Sequence, residues 1–373
     1  MRRLTAWRML LHDRSSTAGA LLGVVAIVFL VGQQLSIFFG LLNYMSVLVD
    51  HSGADVWILS ANTSNVDAAN LLPGRYLDRT IGLHQVEWAE PILFGNGSFK
   101  KSDGSFESVR VVGLRRPRLA AGPWAFAQAD NRTLLDLEAV TVDRLDLEIL
   151  GNPALNTITE IGNFRAKIAA VTEGARGFQG TLVFSNLDKV KEISKTPSGR
   201  YSAILVKFKE TTKVEEGVQL LRALLPRCSV YSSSQLSAMT RRYYISNTGI
   251  GGSFGFSTVI AVLIGMVIIT LMMYTSVLNR ERDFAVMRAL GARKWDISVL
   301  VISQALMISF IGIIVGFFLL AMLFNAIRGA AIPSYYPKSV PPLHTAITVF
   351  VSLSGSLFAL RRALKAEPAS VFH

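Results

Sequence analysis

Three long runs of this 373-residue chain contain no Asp, Glu, Lys, Arg or His: Ser15 to Val49, Tyr243 to Asn279 and Ile297 to Ile327. They hold 35, 37 and 31 residues, whereas a helix needs roughly 20 apolar residues to cross a bilayer. Each run therefore predicts a membrane span. A fourth, Pro342 to Leu360, opens on Pro341 and Pro342, residues suited to a first helical turn. Charged residues make up only 17% of the chain, against about 25% in ordinary soluble domains.

The charge that remains is unevenly placed. The net charge of +12 would suit a nucleic-acid binder, yet residues 49–240 hold 22 Lys or Arg against 21 Asp or Glu. The excess flanks the apolar runs, as topology charges do. With no basic stripe and no aromatic-interleaved cluster, nucleic acid is not an expected partner. Twelve basic residues lie in the N-terminal segment (Arg2, Arg3, Arg8, Arg14), in the stretch between the second and third runs, and in the tail (Arg361, Arg362, Lys365). The loop before the fourth run holds two, Arg328 and Lys338. The positive-inside rule then places both termini in the cytoplasm.

The expected layout is a cytoplasmic segment over residues 1–17, a retained signal anchor and stalk over 18–49, and a soluble domain over 50–240. A stalk and second span follow over 243–279, then a cytoplasmic loop over 280–296, a third span over 297–327, an external loop over 328–341, a fourth span over 342–360 and a tail over 361–373. As a helix the first run would be about 50 Å long, well beyond the roughly 30 Å hydrocarbon core, and should project outward.

In the soluble stretch, β-branched or alternating runs predict strands at Ala54–Leu59, Val109–Leu114, Ala139–Val142, Lys167–Thr172, Thr181–Phe184 and Ile204–Phe208. Helical patterns occur at Arg75–Leu83, Leu187–Ile193 and Lys213–Leu225. The expected fold class is thus a membrane α-helical protein with four transmembrane helices and a large extracytoplasmic α+β domain between helices 1 and 2.

Chemistry is scarce. No Asp, Glu, Lys or Arg lies within a span, so a proton relay or ion site lacks its parts. His344, at the outer end of the fourth span, is expected at the interface. The lone Cys228 excludes an intrachain disulfide, no metal-ligand spacing of Cys and His occurs, and no GxxxxGK[ST] phosphate loop is present. Gly251, Ser253 and Gly255 match GxSxG, but a nucleophile elbow needs a strand before it. Gly251 with Gly255, Gly19 with Gly23 and Gly312 with Gly316 read better as small-residue helix contacts.

The charged island between the second and third runs, RERDFAVMRALGARKWD, spans Arg280 to Asp296. Phe284, Met287 and Gly291 recur at i, i+3, i+7, and Val286 and Leu290 at i, i+4, so a short amphipathic helix is expected there.

That island, with its "RALGA" turn, resembles the loop between the second and third spans of FtsX-like permeases. The C-terminal ALKAEPASVF, Ala363 to Phe372, looks like the tail of the same family. The soluble stretch resembles the MacB-like periplasmic core, and ADVWIL, NVDAANLLPGRYLDR and WAEP within Ala54–Pro91 look most like the DevC group. The resemblance implies a permease of the bacterial inner membrane with no fused ATPase domain and no cofactor of its own, ATP being used on a partner. A cytoplasmic ABC ATPase subunit would dock on the island, with Phe284, Met287 and Leu290 as apolar anchors, Arg282 and Arg288 as polar rim, and Gly291 at the turn. It further implies a homodimer, a periplasmic adaptor of membrane-fusion type, an outer-membrane channel, and contact with membrane lipids. Cargo would be expelled by mechanotransmission. Control of a cell-wall hydrolase, lipoprotein release as by LolC-like subunits, and a receptor with no ATPase stand as alternatives.

Overall fold

The computed structural model describes residues 14–327 and 332–365. Arg2, Arg3, Arg8, Arg328 and the tail beyond residue 365 lie outside the described residues. Two compact units emerge, Leu41–Ile250 and the remainder.

The first unit is a mixed sheet carrying helices. Its strands are β1 (Val56–Ser60), β2 (Leu72–Pro73), β3 (Val86–Lys100), β4 (Phe106–Leu114), β5 (Phe126–Gln128), β6 (Ala139–Asp143), β7 (Ile158–Ile161), β8 (Phe164–Thr172), β9 (Thr181–Asn186), β10 (Arg200–Tyr201), β11 (Ala203–Phe208) and β12 (Cys228–Ser232). The main sheet runs β12-β1-β11-β3-β4-β9-β6-β8-β5, with β7 bridging β3 and β8. Among the described residues, only β4 with β9 and β6 with β8 pair in parallel.

Strand alternation feeds separate cores on the two faces. In β1, Val56 and Ile58 enter one core while Trp57 and Leu59 enter another; in β11, Ile204 and Val206 join the first and Ala203 and Leu205 the second. The helices α2 (Arg75–Ile81) and α4 (Val214–Leu224) cover the first face through Leu77, Val218 and Leu221. A third core forms where α3 (Leu187–Ser194) lies on β3 and β4. There Gly113 is required, because a Cβ would come 2.9 Å from Val190 and 3.1 Å from the Leu187 backbone.

Helix α1 (Arg14–Asp50) is unbroken, and its residues from Leu41 onward belong to the mixed unit. Helix α5 (Ser233–Asn247) starts on a reciprocal cap: Ser232 Oγ accepts the Gln235 N–H while Gln235 returns a bond to the Ser232 N–H. The sequence pattern predicted one rod from Tyr243 to Asn279. The chain instead leaves α5 at Thr248, turns at Gly249 with φ +75°, and begins α6 (Ile250–Leu278). Glycine alone adopts that backbone without strain.

The second unit is helical, and α1, α6, α8 (Lys294–Ala326) and α9 (Val340–Lys365) are each long and apolar enough to cross a membrane. Glycine notches set their directions. Val24 and Val28 of α1 face Gly312 and Gly316 of α8 in rising order, so these helices run parallel. Gly19, Gly23 and Ile27 face Met272, Ile268 and Gly265 in falling order, so α6 runs antiparallel to α1.

At one end of this unit the 332–336 segment lies against α1. Tyr335 N–H donates to the Ser36 carbonyl at 3.1 Å, and a Cβ on Gly40 would come 2.6 Å from the Pro333 carbonyl carbon. His344 is buried among the helices there: Tyr336 Oη lies 2.8 Å from Nδ1 and Phe317 meets the ring edge-on. Of the glycine pairs expected to pack, Gly19, Gly23, Gly312 and Gly316 meet neighbouring helices, but a Cβ on Gly255 would meet nothing within 4 Å. Gly255 is exposed on α6, so the small-residue contact expected of Gly251 with Gly255 fails at Gly255 within this chain.

Candidate functional site

The island folds as α7 (Glu281–Ala289), a turn, and the first residues of α8. Its helix ends in a Schellman arrangement: Ala292 N–H donates to the Met287 carbonyl and Gly291 N–H to that of Arg288, both at 3.0 Å. Gly291 sits at φ +96°, the left-handed position this ending demands. Asp296 then starts α8 by accepting the Arg293 N–H at 2.9 Å. The island is therefore a fixed helix-turn.

Phe284 is only 1% exposed and Ala285 is fully buried; Phe284 shares a core cluster with Ile297, Leu300 and Val301 of α8. The expected role of Phe284 as a docking anchor is thus corrected: it faces inward and ties α7 to the helical unit. Met287 is half-buried against the same cluster. Arg288 Nη1 donates to the Leu364 carbonyl at 3.4 Å, near the end of α9. Asn279 Nδ2 approaches Ser16 Oγ at 3.5 Å, at the start of α1. The island, the start of α1 and the end of α9 therefore meet at one end of the helical unit.

The island leaves a small apolar set outside, with charged residues around it. Leu290 is 83% exposed, Trp295 71% and Val286 42%. Arg282, Asp283, Arg293 and Lys294 are exposed beside them. Of the residues expected to dock a partner, Leu290, Arg282 and Gly291 are outward-facing; Trp295 and Val286, exposed as well, were not among those expected. A Trp between Lys294 and Asp296 in a hydrophilic stretch is a signal that could have marked the first of these.

No strand leads into Gly251, Ser253 and Gly255, which lie in the first turns of α6. The geometry of a nucleophile elbow is not present there.

In the mixed unit a second cluster holds the loop of residues 173–180. Arg110 Nη1 lies 2.8 Å from both Asp67 Oδ1 and Gln179 Oε1; Tyr244 Oη donates to Asp67 Oδ2 at 2.7 Å and accepts from Gln179 Nε2 at 3.0 Å. Arg176 bonds the Tyr44 hydroxyl, and its Nε lies 2.8 Å from Oδ1 of the fully buried Asp146. Burial pushes the Asp146 carboxyl up to about 6, Arg176 opposing the rise and Asp143 adding to it.

The consequence has a definite sign. A carboxyl that binds its proton more tightly folded than unfolded stabilises the fold fully below its unfolded value and loses that contribution as pH rises through its folded value. From 3.8 to about 6, this amounts to roughly 3 kcal/mol. Stability of the mixed unit, followed by fluorescence of Trp57, Trp88 and Trp124, is expected to fall between pH 4 and pH 7, and Asp146→Asn to flatten that slope. An unchanged slope in Asp146→Asn would remove Asp146 as the cause.

Comparison with known proteins adds the following. Residues 255–368 match the family model of the FtsX-like permease C-terminal domain. No curated protein matches the chain. Among solved structures, the periplasmic region of MacB from Actinobacillus actinomycetemcomitans aligns with 14% identity over 50% of this chain and 93% of its own, at a TM-score of 0.39. The extracellular domain of the noncanonic ABC-type transporter YknZ from Gram-positive bacteria aligns with 11% identity over 48% and 98%, at 0.35. A domain of a putative permease from Porphyromonas gingivalis aligns with 11% identity over 49% and 88%, at 0.31. At these TM-scores the structural likenesses carry no weight for function.

Proposed function

We propose that this chain is the permease subunit of an ABC-type exporter that works by mechanotransmission, hydrolysing no ATP itself. The observation that carries the reading is the exposed set Val286, Leu290 and Trp295 on a helix-turn between two candidate spans, within a stretch that matches the FtsX-like permease domain. A few well-packed apolar and aromatic anchors ringed by charge suffice for a protein interface. The occupant is a cytoplasmic ABC ATPase, and two ATPase subunits require two copies of the permease.

In this reading the chain lies in a bacterial inner membrane with both termini in the cytoplasm and the mixed unit outside, in keeping with the five basic residues within the island. ATPase closure pushes α7, Phe284 passes the displacement into the core shared with α8, and the mixed unit responds by handing cargo to an adaptor and an outer-membrane channel. Phe284 is a positioning residue in this scheme, because it touches no partner. DevC-like grouping belongs to the same proposal.

Proteins recovered with the full chain from its native membrane in mild detergent test it. An ABC ATPase together with a fusion-type adaptor is the expected result. A cell-wall hydrolase in place of the adaptor moves the role to signalling, a lipoprotein carrier moves it to lipoprotein release, and absence of any ATPase overturns it.

A further inference from the structure

Between β4 and β6 the mixed unit carries a surface with an unusual make-up. Residues 115–137 include Arg115, Arg116, Arg118 and Arg132 and no Lys. All four arginines are exposed, and Leu135 and Leu137 beside them are 42% and 54% exposed. Arg116 Nη1 donates to the Leu135 carbonyl at 2.9 Å, and a Cβ on Gly122 would lie 3.4 Å from Asn131 Oδ1, so both halves of the stretch form one patch.

These cations are answered only in part within the molecule. Glu90 approaches Arg115 at 3.9 Å and Arg118 at 3.8 Å, beyond hydrogen-bond length. Asp130 is engaged as a cap, accepting the Arg132 backbone N–H at 2.9 Å. Arg118 lies over the Trp88 ring, 5.6 Å from its centroid. The Arg115 and Arg118 side chains nevertheless stay 47% and 48% exposed.

The backbone beneath is held, not loose. Leu119, Ala121 and Leu134 are buried in a core cluster, and His51 stacks on Trp124 at 4.2 Å. Leu119 and Ala121 adopt φ of +55° and +58°, and Ala129 +66°. Side-chain-bearing residues rarely take that conformation, and such strain persists where the surroundings impose a particular display. A surface fixed in advance loses little entropy on binding.

We infer that the patch built by Arg115, Arg116, Arg118, Arg132, Leu135 and Leu137 docks a partner protein through an acidic segment with interleaved apolar side chains. Arginine and aromatic residues are favoured at protein interfaces while lysine is depleted, and the guanidinium fork matches a carboxylate bidentately. Polybasic membrane-binding segments gain from every like charge, whereas this patch intersperses Asp130 and Asp136. The inference does not depend on what docks at the island.

The test uses the full chain in discs of zwitterionic lipid and a synthetic twelve-residue peptide alternating Glu and Leu. A Lys–Leu peptide, a Glu–Ser peptide and phosphatidylglycerol vesicles serve as comparisons. Expected are binding of the Glu–Leu peptide at least tenfold tighter than either other peptide, a tenfold loss in Arg115→Gln/Arg118→Gln/Arg132→Gln, and a separate loss in Leu137→Asp. Tighter binding by Arg115→Lys/Arg118→Lys/Arg132→Lys than by the neutral variant shows that the neutral variant lost charge and not its fold. Equal binding of the Glu–Leu and Lys–Leu peptides, full binding by the neutral variant, or displacement of the peptide by phosphatidylglycerol vesicles at matched charge overturns the proposal.

Discussion

Leu290→Asp combined with Trp295→Asp is expected to cut recovery of a partner ATPase at least tenfold while leaving the amount of chain in the membrane unchanged. Both side chains are largely exposed, so neither change removes packing within the chain. Truncating a single interface anchor commonly costs about 2 kcal/mol or more, and two together exceed the loss needed to empty a modest complex. Phe284→Ala is the informative contrast. Deleting a buried aromatic costs about 3–5 kcal/mol of fold stability, so that variant should show heat or protease sensitivity of the helical unit before any change in recovery. A triple change of Phe284, Met287 and Leu290 would mix the two effects. Full recovery with Leu290→Asp/Trp295→Asp would move the docking surface elsewhere.

Gly312→Leu with Gly316→Leu is expected to have the largest effect on the helical unit itself. A Cβ on Gly312 would come 2.6 Å from Val24 Cγ1 and 2.7 Å from its Cβ; on Gly316, 2.6 Å from Val28 Cβ. Valine is stiff at χ1 and its Cβ is fixed to the backbone, so neither side chain can swing clear. Overpacking typically costs about 1–3 kcal/mol per site, and here the two sites act on the same pair of helices. The measurement is a cysteine cross-link between α1 and α8, which should fall sharply in the double variant; Gly255→Leu, facing open space, should leave it unchanged. An intact cross-link in the double variant would mean that the helices do not approach through these glycines.

How much of this was readable beforehand differs between the units. The helical runs announce themselves because lipid requires unbroken apolar length, and the island's α7 follows from its spacing. Burial within the island was not readable: Phe284, Met287 and Leu290 share a pattern, but only the packing of α8 decides that Phe284 faces inward and Leu290 outward. Trp295 went unnoticed because it begins the next helix. In the mixed unit, β1, β4, β6, β8, β9 and β11 carry β-branched residues and were visible. The central β3 was not, since Pro91, Gly95 and Gly97 disguise it; its place in the sheet depends on partners distant in sequence. Helix α5 hid behind a serine run whose reciprocal cap is evident only once Gln235 is counted three residues on from Ser232. The Asp146 and Arg176 contact joins residues thirty apart through a loop and leaves no local trace.

The notches along α1 restrict how it can move. Val24 and Val28 sit four residues apart, as do Gly312 and Gly316 that receive them, so the two helices are keyed like teeth spaced one turn apart. A smooth axial stroke would drive each valine onto a bulkier neighbour between the notches. A slide by one notch, about 6 Å at 1.5 Å per residue, would seat one valine in a notch and set the other on Ile308 or Leu320, so α1 and α8 are expected to tilt together as a single piece.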